Sequence, residues 1–211
     1  ADETERLLRA NRYLTSADVI VKYRLDGGID LNVKTQDSWT LNPGFSFGRG
    51  GGHNKTSLSL REYNLLGSGT RIGIRYKSDI DRDSTTFQLS DNNLMGSRHS
   101  YGIDYGNNSD GHKYLAKIGS PFYSLDTKKS YGMKIENKSS IESLYDLGQI
   151  NDQFRYRLRG LDIYNAFSSG LKNDWVKRYS YGFVMEDHKY SSKNNSNTLS
   201  EKISLNSRRF N

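Results

Sequence analysis

From Leu41 onward, apolar residues alternate with small or charged residues in one short segment after another. Side chains on a β-strand point alternately to the two faces of a sheet, so each segment has one apolar and one polar face. Turn-forming residues separate the segments, and the spacing predicts about nine strands in an antiparallel meander. The apolar positions are Phe45 and Phe47; Leu58 and Leu60; Ile72, Ile74 and Tyr76; Phe87 and Leu89; Tyr101, Ile103 and Tyr105; Tyr131, Met133 and Ile135; Phe154, Tyr156 and Leu158; and Tyr179, Tyr181, Phe183 and Met185.

This mainly β pattern has two interpretations. A half-exposed soluble sheet has one face on a core and one in water, whereas a transmembrane β-barrel has lipid outside and water inside. Only 34% of the residues are hydrophobic, yet the chain contains 15 Tyr. A barrel wall fits both numbers, because half of each strand is polar and tyrosine suits the boundary between membrane and water.

The N-terminal 40 residues follow another pattern. A short helix is predicted from Thr4 to Leu14, followed by strands at Ala17–Leu25 and Ile29–Thr35. The turn sequence Asp26-Gly27-Gly28 joins the two strands into a hairpin. A helix with one hairpin is too small to be stable alone, so we expect it to be part of a domain.

The connections of the meander fall on two rims. The longest predicted connection runs from Asn137 to Gln153, on the rim away from the N-terminal residues, and a second long stretch begins at His188. On the near rim, Asn64-Leu65-Leu66-Gly67 recurs as Asn93-Leu94-Met95-Gly96. The echo predicts the same turn built twice on a periplasmic rim, although two turns can also share residues without a common role.

Arg155, Arg157 and Arg159 share one face of a predicted strand. We interpret them as a basic stripe in the barrel lumen, where three guanidinium groups require acids, water or anions opposite them. One hypothesis is contact with a passing or folded-in segment. The other is a solvated interior in which Glu136 or Asp162 balances the charge.

Other chemistry is not indicated. The net charge of +7 comes from residues interleaved along strands and loops, and anionic lipid head groups and a basic lumen account for it better than nucleic acid does. The sequence lacks cysteine, and the histidines match no metal-binding spacing. No phosphate loop or catalytic triad is present in a suitable context, so we expect a protein that is not an enzyme and has no cofactor.

Short motifs in a particular order resemble a known family. They are Trp39-Thr40-Leu41-Asn42-Pro43, Gly50-Gly51-Gly52, Glu62-Tyr63-Asn64-Leu65-Leu66-Gly67-Ser68-Gly69, Asp81-Arg82-Asp83, Gly96-Ser97-Arg98, Asp110-Gly111 and Ser120-Pro121-Phe122-Tyr123-Ser124-Leu125. In this succession they resemble the bacterial surface antigen superfamily, which includes outer-membrane barrel-assembly insertases and two-partner secretion transporters. The resemblance covers nearly the whole chain.

The resemblance implies a periplasmic POTRA module followed by an outer-membrane β-barrel. Residues 1–38 would be a partial POTRA module, its last helix and final hairpin, and residues 39–211 the N-terminal portion of the barrel, so that the chain is truncated at both ends. The implied partners are outer-membrane lipids, including lipopolysaccharide, and unfolded or secreted client polypeptides, with no nucleic acid. A passive outer-membrane channel or surface antigen is the first alternative function, and a soluble β-sheet ligand-binding module is the second.

Overall fold

The computed structural model describes residues 2–193 and 204–210 and consists mainly of antiparallel strands. The elements in chain order are α1 (Asp2–Arg9), β1 (Leu14–Tyr23), β2 (Ile29–Asp37), β3 (Leu41–Gly50), β4 (His53–Glu62), β5 (Arg71–Ser78), β6 (Asp83–Asp91), β7 (Ser100–Asn108), β8 (Gly111–Ser120), β9 (Lys129–Asp146), β10 (Gln149–Lys172), β11 (Trp175–Ser192) and β12 (Ser204–Phe210). Single 3-10 turns occur at Leu65–Gly67 and Leu94–Gly96. No helix in the described ranges is long and apolar enough to cross a membrane.

The N-terminal module, residues 2–37, consists of α1 and the β1–β2 hairpin. The helix covers β1, where Ala17 and Val19 are buried, and the Glu5 carboxylate accepts a hydrogen bond from the Val19 amide at 2.8 Å. The helix ends at Arg9, earlier than predicted, because the chain must turn before β1 begins. It does not cover β2, whose Leu31 and Val33 are exposed.

Strands β3 to β12 form one sheet in which each strand pairs with the next along the chain. The antiparallel meander predicted from the alternation is therefore confirmed. Strands β3 and β12 stand at its two edges and do not pair with each other in the described part of the chain. Prolines and long crossovers are absent from the sheet interior, which lets every central strand bond on both sides.

Three strands extend well beyond their neighbours at one end of the sheet. The predicted loop from Asn137 to Gln153 is wrong, because these residues continue β9 and β10 into a hairpin that turns at Leu147 and Gly148. The stretch after His188 likewise continues β11 as far as Ser192. Residues 141–153 are called the far extension below. They carry polar side chains on both faces, and this hides the strand pattern from sequence analysis.

The sheet has two chemically different faces. One face, called the outer face below, carries Ile74, Ile103 and Ile135, which are exposed; the opposite face is called the inner face. The inner face carries polar side chains together with small residues that are shielded from solvent. Among these inner-face residues, Gly73, Gly102, Gly132, Ser130 and Ser140 are buried. The face with the apolar side chains is thus the more accessible one, the reverse of a sheet that packs on a core.

Candidate membrane-facing surface and rim sites

The outer face forms a continuous apolar band across the sheet. Every strand from β3 to β11 contributes large side chains to it that are between about 36% and 72% exposed. A water-soluble monomer rarely exposes apolar patches larger than a few hundred Å². The principal members are Phe45, Phe47, Leu58, Leu60, Ile72, Ile74, Tyr76, Phe87, Ile103, Ile118, Tyr131, Met133, Ile135, Ile163, Phe167, Tyr181 and Met185. The band is the kind of surface that lipid chains cover.

Aromatic residues border this band at both ends of the strands. Toward the far rim, the rings of Tyr105 and Tyr114 lie 5.1 Å apart. Toward the near rim, where the N-terminal module lies, Phe167 stacks on Tyr181 at 6.1 Å, and the hydroxyl of Tyr131 is 2.8 Å from His99 Nε2. Tyrosine belongs at such borders because its ring is apolar and its hydroxyl is polar.

The three arginines predicted in the lumen lie on the outer face instead. In the register of β10 with β9, Leu161 faces Ile135, Arg159 faces Asn137 and Arg157 faces Ser139. No bulge interrupts this pairing between residues 152 and 167, so the arginines share the face of Leu161 and Ile163. The expectation of a lumenal stripe is therefore wrong. Arg155, Arg157 and Arg159 are called the arginine stripe from here on.

The error has a physical cause, because the apolar parity of β10 changes at Gly160. On the far side of Gly160, Phe154, Tyr156 and Leu158 are on the inner face. There Tyr156 lies 5.2 Å from the Tyr190 ring, and its hydroxyl is 2.9 Å from His188 Nδ1. Apolar side chains turn inward at this level and outward in the band, which is expected where a strand passes from lipid into water.

The arginine stripe has few partners. Arg155 donates weakly from Nη1 to the Asp110 carbonyl and to Ser139 Oγ, both at 3.4 Å. Within the described residues, the side chains of Arg157 and Arg159 form neither a hydrogen bond nor an ion pair, although both backbones pair in the sheet. Glu136 and Asp162, the acids expected to balance the stripe, are on the inner face.

A half-buried polar cluster on the far rim was missed by sequence analysis. The Asp110 carboxylate accepts the Ile141 N–H at 2.7 Å, and Arg82 donates from Nη2 to the Ile141 carbonyl at 3.1 Å. Arg82 Nη1 lies 3.6 Å from Asp110, and Nη2 lies 3.4 Å from Glu142. Arg82, Asp110 and Glu142 are called the far-rim clamp. They provide hydrogen-bond partners for the backbone of Ile141 in β9, which extends past the start of β8 at Gly111.

The only sequence signal for the far-rim clamp was the order of motifs, which contains both Arg82 and Asp110. The structure also explains why the residue after Asp110 is a glycine. A Cβ atom on Gly111 would lie 2.1 Å from the Ser139 carbonyl oxygen, so no other residue fits without moving β9. Nearby, the hydrogen bond from Lys77 lowers the pKa of Asp79, a half-buried residue in the turn after β5.

The two predicted near-rim turns have the same backbone conformation. Leu66 and Met95 both have φ of 52°, and the glycines that follow, Gly67 and Gly96, have φ of 77° and 73°. In each turn a serine hydroxyl donates back to a leucine carbonyl, Leu65 or its counterpart Leu94. The apolar side chains of Leu66 and Met95 are 98% exposed and do not pack on the rim.

The N-terminal module contacts the same rim as these turns. Arg12 donates to the Tyr63 hydroxyl at 3.1 Å, and the Leu125 amide donates to Glu3 at 3.2 Å. A cleft between the module and the sheet is lined by both turns, through Gly69 and Asn93. The hydrogen bond from Arg6 lowers the pKa of Glu3. The location of this rim in the periplasm stays a prediction.

No candidate metal centre is found in the described ranges, since no three His, Cys, Asp or Glu side chains converge there. Three of the four histidines contact aromatic rings: His99 lies 6.1 Å from Tyr131, His112 lies 5.1 Å from Tyr114, and His188 lies 5.9 Å from Tyr156. A cleft on the inner face is lined mainly by basic and small or polar residues, among them Arg61, Arg71, Arg75, Gln88 and Lys117.

These features define an antiparallel meander of the outer-membrane type, with its apolar face outward. Among solved structures, the chain is similar to BamA from Haemophilus ducreyi, crystallised without POTRA domains 1–3. The match has a TM-score of 0.50 and 12% sequence identity, and it covers 90% of this chain and 44% of that one. This likeness concerns the fold. No protein-family model and no curated protein sequence matches the chain.

Proposed function

We propose that this protein is a bacterial outer-membrane β-barrel protein whose N-terminal module lies in the periplasm. The exposed apolar band on the outer face carries the proposal, because a surface of that extent marks an interface and its aromatic borders favour lipid as the other side. The barrel-like fold of the BamA structure supports it. The polar inner face would line the aqueous interior.

We further propose that the protein is not an enzyme and acts on polypeptides, by assisting the insertion or translocation of unfolded outer-membrane or secreted chains. The family motifs and the fold likeness both favour this activity. Two strand edges suit a client strand: β2, which pairs with β1 alone, and β3, which pairs with β4 alone among the described strands. Pro43, Gly44 and Gly48 weaken pairing along β3.

The membrane location is tested by extraction. Membranes that contain the full-length protein are washed with sodium carbonate and then treated with detergent. We expect the protein to stay in the pellet after carbonate and to dissolve in detergent. Release by carbonate alone would contradict an embedded barrel and would favour the soluble binding module.

The activity on polypeptides is tested by depletion in the native host. We expect the levels of one or more other outer-membrane or secreted proteins to fall, with their unfolded forms accumulating in the periplasm. A passive channel or surface antigen would leave those levels unchanged while altering the uptake of small solutes. Complementation with the full-length gene is the control.

A further inference from the structure

The arginine stripe begins where the apolar band ends. Arg159 is in register with Asn137, and through it with Tyr114, at the aromatic border. From there the stripe runs toward the far rim over about 13 Å, at roughly 3.3 Å per residue between Arg159 and Arg155. This is the level at which a membrane presents its headgroups.

The neighbours of the stripe on the outer face leave its charge largely uncompensated. On β11, Asp187 lies opposite Arg159, and Lys189 lies opposite Arg157. Lys189 binds Asp187 at 3.1 Å, so the carboxylate that faces the stripe from β11 is already paired. The Asp110 carboxylate, next to Arg155, is likewise held by Arg82 and the Ile141 N–H. The facing residues of β9 are uncharged: Asn137, Ser139 and Ile141.

We propose that the arginine stripe binds the phosphate groups of lipopolysaccharide in the outer leaflet. Guanidinium groups bind phosphate oxygens through paired hydrogen bonds, and their long stems pack on apolar surface while the charge reaches the headgroup. The inference rests on the proposed membrane location, which puts the far rim, opposite the N-terminal module, outside the cell. Lipid is favoured over a protein partner because the stripe is continuous with the apolar band.

The test uses the full-length protein reconstituted in vesicles of a zwitterionic phospholipid with increasing amounts of lipopolysaccharide. The protein is then recovered in mild detergent, and the bound lipopolysaccharide is counted. One variant replaces Arg155, Arg157 and Arg159 by glutamine. The matched control replaces Arg71, Arg75 and Lys77, three cations of the inner face of β5, in the same way.

We expect the stripe variant to bind lipopolysaccharide roughly a hundredfold more weakly, since each basic residue near an anionic surface adds about a factor of five. The control variant should bind like the wild type. Equal loss in both variants would show a nonspecific effect of net charge and would overturn the proposal. Unchanged binding in the stripe variant would overturn it too.

Two further arms make the result specific. Dephosphorylated lipopolysaccharide should bind about as weakly to the wild type as intact lipopolysaccharide binds to the stripe variant. Equally tight binding of phosphatidylglycerol would assign the stripe to anionic lipids in general and contradict the proposal. The double variant R157Q/R159Q, at positions without described partners, keeps the test valid if loss of the Arg155 contacts impairs folding. Carbonate washing of the same vesicles separates failure of the membrane location from failure of this site.

Discussion

The two halves of β10 have the same backbone and opposite chemistry. In one half, Leu161, Ile163 and Phe167 are on the outer face; in the other, Phe154, Tyr156 and Leu158 are on the inner face and the arginines are outside. Both halves pair with β9 and β11 in one unbroken register. Which face of a strand carries the apolar side chains therefore depends on the surroundings and not on the backbone hydrogen bonds. The exchange of faces at Gly160 marks where the surroundings change.

The most direct test of this difference is a charged side chain in the apolar half of β10. Ile163→Arg puts a guanidinium between Met133 and Phe183. We expect about 2–4 kcal/mol of destabilisation in lipid vesicles, measured by denaturant unfolding, because the charge would be in the hydrocarbon layer. Arg157→Gln, on the same face of the other half, should change stability by less than about 0.5 kcal/mol. Similar costs at both positions would remove the distinction.

The far-rim clamp tests the same difference at the polar end of the sheet. Arg82→Ala removes a donor to the Ile141 carbonyl and leaves Asp110 without its cation. We expect a loss of about 3 kcal/mol, as for a broken buried ion pair, together with faster hydrogen exchange in the far extension. Lys113→Gln, which removes a more exposed pair with Glu136, should cost less than about 1 kcal/mol.

A smaller effect is expected from the close approach at Gly111. Gly111→Ala forces β9 away, because the new methyl group would overlap the Ser139 carbonyl. We expect a cost of about 1–3 kcal/mol, seen as a lower unfolding midpoint. Gly48→Ala is the control, since a Cβ atom there meets nothing within 4 Å. An equal response at the two glycines would argue against the position of Asp110 and Gly111 beside β9.

The smallest effect concerns the pH dependence of the far-rim turn. The hydrogen bond from Lys77 lowers the pKa of Asp79 in the folded state. This pair therefore stabilises the fold above the unfolded pKa of about 3.9, and its contribution is lost as the pH falls further. The stability difference between wild type and Lys77→Gln should shrink as the pH falls below about 4. A difference that is constant with pH would exclude this linkage.

Much of the sheet was predictable from the sequence, because strand alternation needs only local information. Strands such as β5 and β7 cross the apolar band from rim to rim, so one parity is apolar throughout. The shared conformation of the turns at Leu66 and Met95 also follows from their repeated residues.

The sites depended on information that no single strand carries. The outward direction of Arg157 required the pairing of β10 with β9, because apolar residues occur at both parities of β10. The far-rim clamp joins residues about sixty positions apart, so neither Arg82 nor Glu142 shows its partner locally. In the far extension, polar residues on both faces removed the alternation itself.

Because the apolar face of β10 changes at Gly160, the position of this residue reports the depth of the strand in the membrane. Because the chain contains no cysteine, a single introduced thiol is an unambiguous reporter. A series of single cysteines from 154 to 167 would show, without a crystal, which residue of this strand sits at the surface of the bilayer. In membranes of different thickness, a different residue of β10 would lie at the bilayer surface, so the labelling pattern would report the local thickness.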